Sequence, residues 1–256
     1  MTHPFCRDQQ IFFRDLFREA RFVALKNAEG FSATIFAIEK FCRFLSQGDI
    51  TLNHCRERIS AKASASPLAN DIPKRWPDFH TTFDNLYNQL RDARNSAFHD
   101  GAVARHLTSH AVLLSIILED ALMNSRDCIG DFMVRMPTCA CMWHPLSFIR
   151  QTLLANSFSY LPVNCGKEAE PVWKLISDCN LGVFLRQVDS HGKRKKRLAM
   201  TLETAVEEGI SLIDSHIRYT NDTVQDVIKR CQHHAVLIVS TDKKQLVGIV
   251  TPFDLL

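Results

Sequence analysis

Residues 235–255 constrain the fold more than any other part of this 256-residue chain. Two short apolar runs, 235–239 and 246–250, flank a polar segment, a pattern that predicts a β-hairpin. A proline directly after Thr251 predicts that the second strand runs into a helix capped by the threonine hydroxyl. The corner then brings together a hydroxyl, a helix N-terminus and the Asp254 carboxylate. Helix N-termini attract phosphate, and a carboxylate can accept hydrogen bonds from both hydroxyls of a ribose.

The segment 248–254, Gly-Ile-Val-Thr-Pro-Phe-Asp, resembles the closing signature of the cystathionine-β-synthase (CBS) module. Modules of that family occur in tandem pairs and commonly bind adenosine nucleotides in the clefts between them. The resemblance implies that Thr251 and Asp254 bind a regulatory adenine nucleotide: AMP, ADP, ATP or a cyclic dinucleotide. It implies no metal. The alternative is that Thr251 only caps a helix while Asp254 only faces the helix dipole.

An earlier part of the chain repeats this pattern and indicates an internal duplication. Segment 159–163 corresponds to 235–239, and segment 172–180 corresponds to 246–254. We therefore expect a first repeat at 126–187, a basic linker at 188–200 and a second repeat at 201–256. Each of the two repeats should have the order β-α-β-β-α.

The first repeat departs from the signature at two positions. Ser177 matches Thr251 and joins the implied nucleotide site, but Asn180 stands where Asp254 stands, and Lys174 replaces the glycine. An amide can bond a ribose hydroxyl, but without charge. The cleft that uses Asp254 should therefore be the better site.

The first 125 residues have apolar residues at the spacing of amphipathic helices. The predicted helices lie at 10–26, 35–45, 79–97 and 107–122. Residues 49–77 are less regular, which indicates a shorter helix or an ordered loop. The expected fold class is thus α+β and multidomain: an antiparallel helical bundle at 1–125 followed by a tandem CBS pair at 126–256.

Between the third and fourth helices lies the segment Arg94-Asn95-Ser96-Ala97-Phe98-His99. It resembles the Arg-polar-x-x-x-His signature of the higher-eukaryote-and-prokaryote nucleotide-binding (HEPN) family. That family consists of small helical bundles, usually dimeric, and many members are metal-independent endoribonucleases. The resemblance implies that His99 acts on the attacking ribose 2′-hydroxyl, that Arg94 stabilises charge on the phosphate and that Asn95 orients one of them.

Two alternatives to this site stay open. The segment 105–110 also fits the signature, but both of its matching residues lie inside the fourth helix, so we favour the first pair. Arg94 can instead pair with Asp92 or Asp100 on the surface while His99 caps the third helix.

Two further patterns carry charge or metal-binding side chains. The run 193–197 contains five adjacent cations, which favours a solvated linker over a phosphate-binding segment. Cys139-x-Cys141-x-x-His144 resembles part of a zinc site, but a fourth ligand is not evident.

Nine cysteines without regular spacing favour a reducing compartment, and no apolar run reaches membrane-spanning length. We therefore expect a cytoplasmic protein. The leading hypothesis is a homodimer that senses an adenine nucleotide through its CBS pair and controls a bundle that binds or cleaves RNA. The alternative is a regulator without enzymatic activity, whose bundle only dimerises or docks a protein partner.

Overall fold

The computed structural model describes residues 5–26, 30–48, 51–96, 104–167, 170–187, 191–229, 235–241 and 245–256. Two compact units divide the chain, Met1–Arg126 and Asp127–Leu256. Within the described ranges, no helix combines the length and apolar character that crossing a membrane requires.

The first unit is helical. Its helices are α1 (Arg7–Lys26), α2 (Phe31–Ser46), α3 (Leu52–Ala63), α4 (Asp71–Arg75), α5 (Phe83–Ser96) and α6 (Ala104–Met123). The four strongly periodic segments all form helices, as predicted, and the irregular stretch 49–77 contains the shorter α3 and α4. Helix α1 packs on α2 and α6, and α5 packs on α6.

Large apolar side chains fill the interior of this unit, among them Phe17, Phe41 and Leu118, none of which is accessible to solvent. A charged contact ties α1 to α6 beside this core. Glu119 accepts hydrogen bonds from Arg18 and, at 2.7 Å, from Arg21. The apolar spacing therefore predicted the helices well, because each helix buries the face that the spacing defines.

The second unit contains two four-stranded sheets, β2-β3-β4-β5 and β1-β8-β7-β6. The strands are β1 (Val134–Arg135), β2 (Ala140–Cys141), β3 (Tyr160–Asn164), β4 (Trp173–Ser177), β5 (Ile213–Asp214), β6 (His216–Tyr219), β7 (Val236–Val239) and β8 (Leu246–Val250). The helices are α7 (Leu146–Asn156), α8 (Asp178–Arg186), α9 (His191–Ala199), α10 (Leu202–Glu207) and α11 (Val224–Ile228). A 3-10 turn at Pro252–Leu255 closes the chain.

The two sheets have the same internal order. In each, a parallel pair (β2 with β3, β6 with β7) adjoins an antiparallel hairpin (β3 with β4, β7 with β8). A helix follows the first strand of each set, and a helix or helical turn follows the last. The order β-α-β-β-α thus occurs twice, as the repeated sequence pattern predicts.

Alternation along each hairpin strand places side chains in two separate apolar layers. Leu175, Leu237 and Ile249 share a layer between strands of the two sheets. Their neighbours Ile176 and Val250 face the opposite way, each into a core that includes helical side chains. Both faces of each hairpin are therefore covered, which explains why these strands read as nearly continuous apolar runs.

Each repeat exchanges its leading segment with the other, which differs from the predicted boundaries 126–187 and 201–256. Strand β1 pairs with β8 of the second repeat, and β5 pairs with β4 of the first. The segments that precede these strands in the chain pack with the same repeat as the strands do. Ile129 and Met133 lie in the core of the second repeat, and Leu202 and Ala205 lie in the core of the first. The sequence pattern identified the hairpins but held no information on which segment fills their outer edges.

The predicted solvated linker at 188–200 is also different. Residues 191–199 form α9, while 188–190 lie outside the described residues. Arg197 lies over the ring of Phe184 at 4.1 Å and donates to its carbonyl, and Leu198 and Met200 pack on the first core. From Leu198 to Asp214 the chain forms the end of α9, then α10 and β5. A basic run can thus belong to an ordered helix when its flanking apolar residues reach a core.

Candidate ligand cleft

The corner after β8 is built by a short hydrogen-bonded ring. Thr251 is extended, with φ −107° and ψ 162°, and the chain then turns at Pro252. The Thr251 backbone N–H and the Thr251 hydroxyl both donate to Oδ2 of Asp254, each at 2.8 Å. The turn is 3-10 rather than the predicted α-helix. Thr251 therefore fixes the direction in which the Asp254 carboxylate points.

Both side chains of this corner line a cleft of about 770 Å³ in the second unit. The opposite wall comes from the first repeat, where Ser157–Pro162 lead into and along β3. A third side comes from Val134, Met136 and Pro137, at and after β1. The cleft therefore lies between the two repeats, which is where the sequence predicted that Thr251 and Asp254 would act.

The lining of the cleft is largely apolar with oxygen atoms at selected points. Its apolar walls include Val134, Met136, Phe158, Pro162, Ile249 and Phe253. Hydroxyl groups come from Thr138, Ser157, Ser159, Tyr160 and Thr251, and carboxylates from Asp178 and Asp254. Apolar walls suit a flat ring, and carboxylates and hydroxyls suit a polyhydroxyl group such as a sugar.

The matching corner of the first repeat is used differently. The Ser177 hydroxyl caps α8 by accepting from the Asn180 backbone N–H at 3.0 Å. The Asn180 side-chain amide donates to the carbonyl of Ser211 at 2.8 Å. Ser177 is buried and is not among the described residues that line the cleft. The structure thus brings Thr251 and Asp254 together and leaves Ser177 apart from them.

Asp178 is a cleft residue that the sequence reasoning missed. It directly follows Ser177 at the start of α8, and its backbone N–H donates to the Ser159 carbonyl at 3.0 Å. Phe158 and Tyr160, which flank Ser159, were also missed. The duplication aligns 159–163 with 235–239 but does not specify which strand of one repeat lies beside the corner of the other, so these residues could not be assigned to the cleft from the sequence.

Gly248 and Lys174 occupy equivalent places in the two sheets. Gly248 pairs with Arg135 of β1, and Lys174 pairs with Asp214 of β5. The Lys174 ammonium lies 2.8 Å from the Asp214 carboxylate. This contact raises the pKa of Lys174 and lowers that of Asp214. The lysine that breaks the signature therefore has a structural partner on the exchanged strand.

The HEPN-like motif of the first unit is only partly described. Arg94, near the end of α5, forms an ion pair with Glu39 of α2 at 2.7 Å. Asp92, a partner that the sequence offered for Arg94, accepts from Arg91. The side chain of Asn95 and all of His99 lie outside the described residues. The roles of Arg94, Asn95 and His99 therefore stay predictions.

The Cys-x-Cys-x-x-His segment makes local bonds. His144 Nδ1 accepts from the Cys141 backbone N–H at 3.0 Å, and the Cys139 thiol donates to the Pro137 carbonyl at 3.2 Å. Burial, with a smaller effect from Cys141, raises the pKa of Cys139 to about 11. Among the residues with described positions, no group of three or more His, Cys, Asp and Glu side chains is placed to hold a metal ion.

No family model matches the chain, and no curated protein matches it. Solved structures that resemble it cover half of its length, and CBS-domain proteins are among them. A CBS domain-containing protein of unknown function from Bacillus anthracis is 16% identical, with a TM-score of 0.40 over 50% of this chain and 89% of that one. Protein MJ1225 from Methanocaldococcus jannaschii is 18% identical, with a TM-score of 0.41 over 50% and 46% of the two chains. The CBS domain pair of MJ0100, in complex with 5′-methylthioadenosine and S-adenosyl-L-methionine, is 18% identical, with a TM-score of 0.39 over 50% and 91%.

Proposed function

We propose that this protein is a CBS-pair regulator that binds an adenosine-containing ligand, such as an adenine nucleotide, in the cleft between its repeats. The observation that carries the proposal is that Thr251 and Asp254, the residues of the closing signature, line a cleft with an otherwise largely apolar wall. AMP, ADP, ATP and cyclic dinucleotides all carry the adenosine group that such a cleft suits.

In this proposal the ring and the sugar bind different parts of the cleft. The adenine ring lies against the apolar walls, where Phe158 and Met136 offer flat and adaptable surfaces. Asp254 accepts hydrogen bonds from the ribose hydroxyls, since Thr251 already orients its carboxylate. A bond to a charged acceptor is worth about 1.5–3 kcal/mol, so losing it should weaken binding about 10- to 100-fold.

Calorimetric titration of wild type with adenosine, AMP, ATP and cyclic di-AMP tests this role. Asp254→Ala should weaken each ligand that binds by at least about tenfold. Asp226→Ala is the matched control, because Asp226 closes a similar ring with Thr223, which donates to it at 2.8 Å, and is not among the residues that line the cleft. Unchanged affinity in Asp254→Ala, or no binding of any of these compounds to wild type, would refute the proposal.

For the helical unit we propose the role without enzymatic activity, in which it joins two copies of the chain. The supporting observation is an exposed aromatic face on α1 and α2. Phe12 and Phe22 of α1 are 47% and 44% exposed, and Phe36 of α2 is 58% exposed. The ammonium of Lys40 on α2 lies 4.7 Å from the centre of the Phe12 ring, so the exposed stripes of the two helices adjoin.

The charges on this face favour a second copy of the same chain as the partner. The exposed stripe of α1 carries the carboxylates of Asp15 and Glu19, while that of α2 carries Lys40 and Arg43. A twofold axis would place the acidic stripe of one copy against the basic stripe of the other, with the phenylalanine rings between them. Such a pairing would couple the two chains, so that a ligand-dependent conformational change in the second unit of one chain affects the other. This requires that the ligand binds one conformational state more tightly than the other.

Sedimentation equilibrium separates this role from others. Wild type should be a dimer and Phe36→Asp a monomer, because a buried unpaired carboxylate opposes association. Phe79→Asp is the control, since Phe79 is 79% exposed in the same unit but lies outside α1 and α2. A monomeric wild type, or a dimeric Phe36→Asp variant, would refute the proposed face.

The ribonuclease hypothesis is tested separately with a labelled RNA. If the predicted site acts, wild type cleaves the RNA, while Arg94→Ala and His99→Ala lose at least about 100-fold of that activity. Equal cleavage in all three proteins would remove the catalytic role. The ion pair between Arg94 and Glu39 supports a structural role for the arginine.

A further inference from the structure

We propose that the second unit contains a further binding site, between α7, α8 and α9, for a small acid that joins an anionic head to an aliphatic chain. The site is a pocket of about 210 Å³. Among the described residues, Asp178 is the only one that this pocket shares with the cleft. Sites for drug-sized ligands usually have volumes of about 300–1,000 Å³, so this pocket suits a molecule smaller than a nucleotide.

Three guanidinium groups border this pocket. Arg150 lies in α7, Arg186 at the end of α8 and Arg194 in α9. Within the described part of the chain, none of the three forms an ion pair. Guanidinium groups bind carboxylates and phosphates through paired hydrogen bonds, so three of them around one small pocket favour an anion.

Arg194 also lacks a hydrogen-bond acceptor. Its Nε is shielded from solvent and has no hydrogen-bond partner among the described residues. A buried donor without an acceptor is unfavourable, because it has lost water and gained nothing in return. An anionic ligand at this guanidinium would supply the acceptor that the described part of the protein does not.

One carboxylate, that of Asp178, borders the same pocket. In the described structure it forms no ion pair with these arginines, and its Oδ1 accepts from the Cys179 backbone N–H. The charged side chains of the lining are thus three cations and one anion, a net charge of +2. The excess of positive charge attracts an anion despite the aspartate.

The remaining residues of the lining are apolar and select for a chain behind the anionic head. Leu153, Leu181 and Leu185 are buried, and Leu154 is partly exposed. Gly182 of α8 borders the pocket, and a Cβ atom added there would meet nothing within 4 Å. An inorganic anion would leave the leucine side chains uncovered, whereas an aliphatic chain removes them from water.

Equilibrium dialysis of the full chain with four probes separates the head from the chain. Octanoate carries both parts, 1-octanol carries the chain without the charge, and acetate and inorganic phosphate carry the charge without the chain. Octanoate should bind at least about tenfold more tightly than each of the other three, because only it can use the arginines and the leucines together.

Two variants assign the binding to this pocket. Arg194→Gln should weaken octanoate at least about tenfold, while Lys195→Gln, which removes one charge from the same helix outside the lining, should leave it within about twofold. Gly182→Leu should weaken octanoate by a similar factor, because its side chain takes up space at the pocket. Val183→Leu is its control, since Val183 is an exposed residue of α8 that is not in the lining.

The glycine variant keeps the test valid if the loss of Arg194 destabilises α9, because it adds a side chain at an open helix position and removes no contact. No binding of octanoate to wild type, or equal binding of octanoate and any of the other probes, would overturn the proposed site. Unchanged octanoate affinity in Gly182→Leu would do the same. None of these results bears on the ligand proposed for the cleft, which is tested with adenosine compounds and Asp254→Ala.

Discussion

Gly248 shows at the scale of one residue how the exchanged segment constrains the sequence. A Cβ atom added at this position would lie 2.4 Å from Sδ and 2.9 Å from Cγ of Met133. Met133 precedes β1 and is buried in the core of the second repeat. The glycine of the closing signature therefore leaves room for the Met133 side chain. Its φ is not in the left-handed region, so the reason for glycine here is close packing and not backbone conformation.

Replacing Gly248 with alanine should lower the free energy of unfolding by about 1–3 kcal/mol, because Met133 must shift. Met133→Ala alone should cost about 2–5 kcal/mol through the cavity that it leaves. The double variant should be more stable than the sum of the two losses predicts, since the smaller side chain removes the clash. Urea denaturation measures all three.

The control for this cycle is Gly182→Ala. Gly182 lies in α8, and a Cβ atom there would meet nothing within 4 Å. Alanine should raise stability by up to about 1 kcal/mol, as expected for an exposed helix position. Additive losses at Gly248 and Met133 would contradict the packing explanation.

At the scale of an element, α9 shows how a strongly charged segment can be ordered. The helix presents Lys193, Lys195 and Lys196 to solvent, while Arg197 packs on Phe184. Most side chains of α9 are charged, yet contacts at the end of the helix hold it on α7 and α8.

Arg197→Ala should therefore open α9 more often and speed trypsin cleavage after Lys193–Lys196 by about tenfold, which corresponds to a loss of about 1.4 kcal/mol. Lys195→Ala is the matched control and should leave cleavage at the remaining sites nearly unchanged. The measurement is the initial rate of cleavage of the full chain. Equal rates in wild type and Arg197→Ala would show that the arginine does not hold the helix.

At the scale of the whole molecule, the exchange of leading segments makes the second unit depend on both repeats. Ile129 and Met133 complete one core, and Leu202, Ala205 and Ile210 complete the other. A single repeat cut at the boundary that the sequence predicted would lack an edge strand and part of its core.

The fragment 127–256 should consequently unfold in one cooperative transition, because it contains both exchanged segments. The fragment 201–256 should not fold alone and should gain structure only when 127–200 is added. Thermal unfolding followed by circular dichroism distinguishes these cases. A cooperative transition in 201–256 by itself would contradict the dependence of one repeat on the other.

The sequence by itself determined the helices of the first unit, the two hairpins of the second and the corner that holds Thr251 and Asp254. These features are local, since each depends on spacing, capping or strand pattern within a short segment. They include the residues on which the proposed ligand site depends.

Only the tertiary structure decided where β1 and β5 pair, that residues 191–199 are a helix, and that Asp178 and Tyr160 line the same cleft as Asp254. Each of these depends on contacts between segments far apart in the chain. A short edge strand pairs through its backbone, which any sequence offers, so its partner is chosen by the packing of neighbouring side chains. Pairing and the composition of the cleft are therefore properties of the assembled unit.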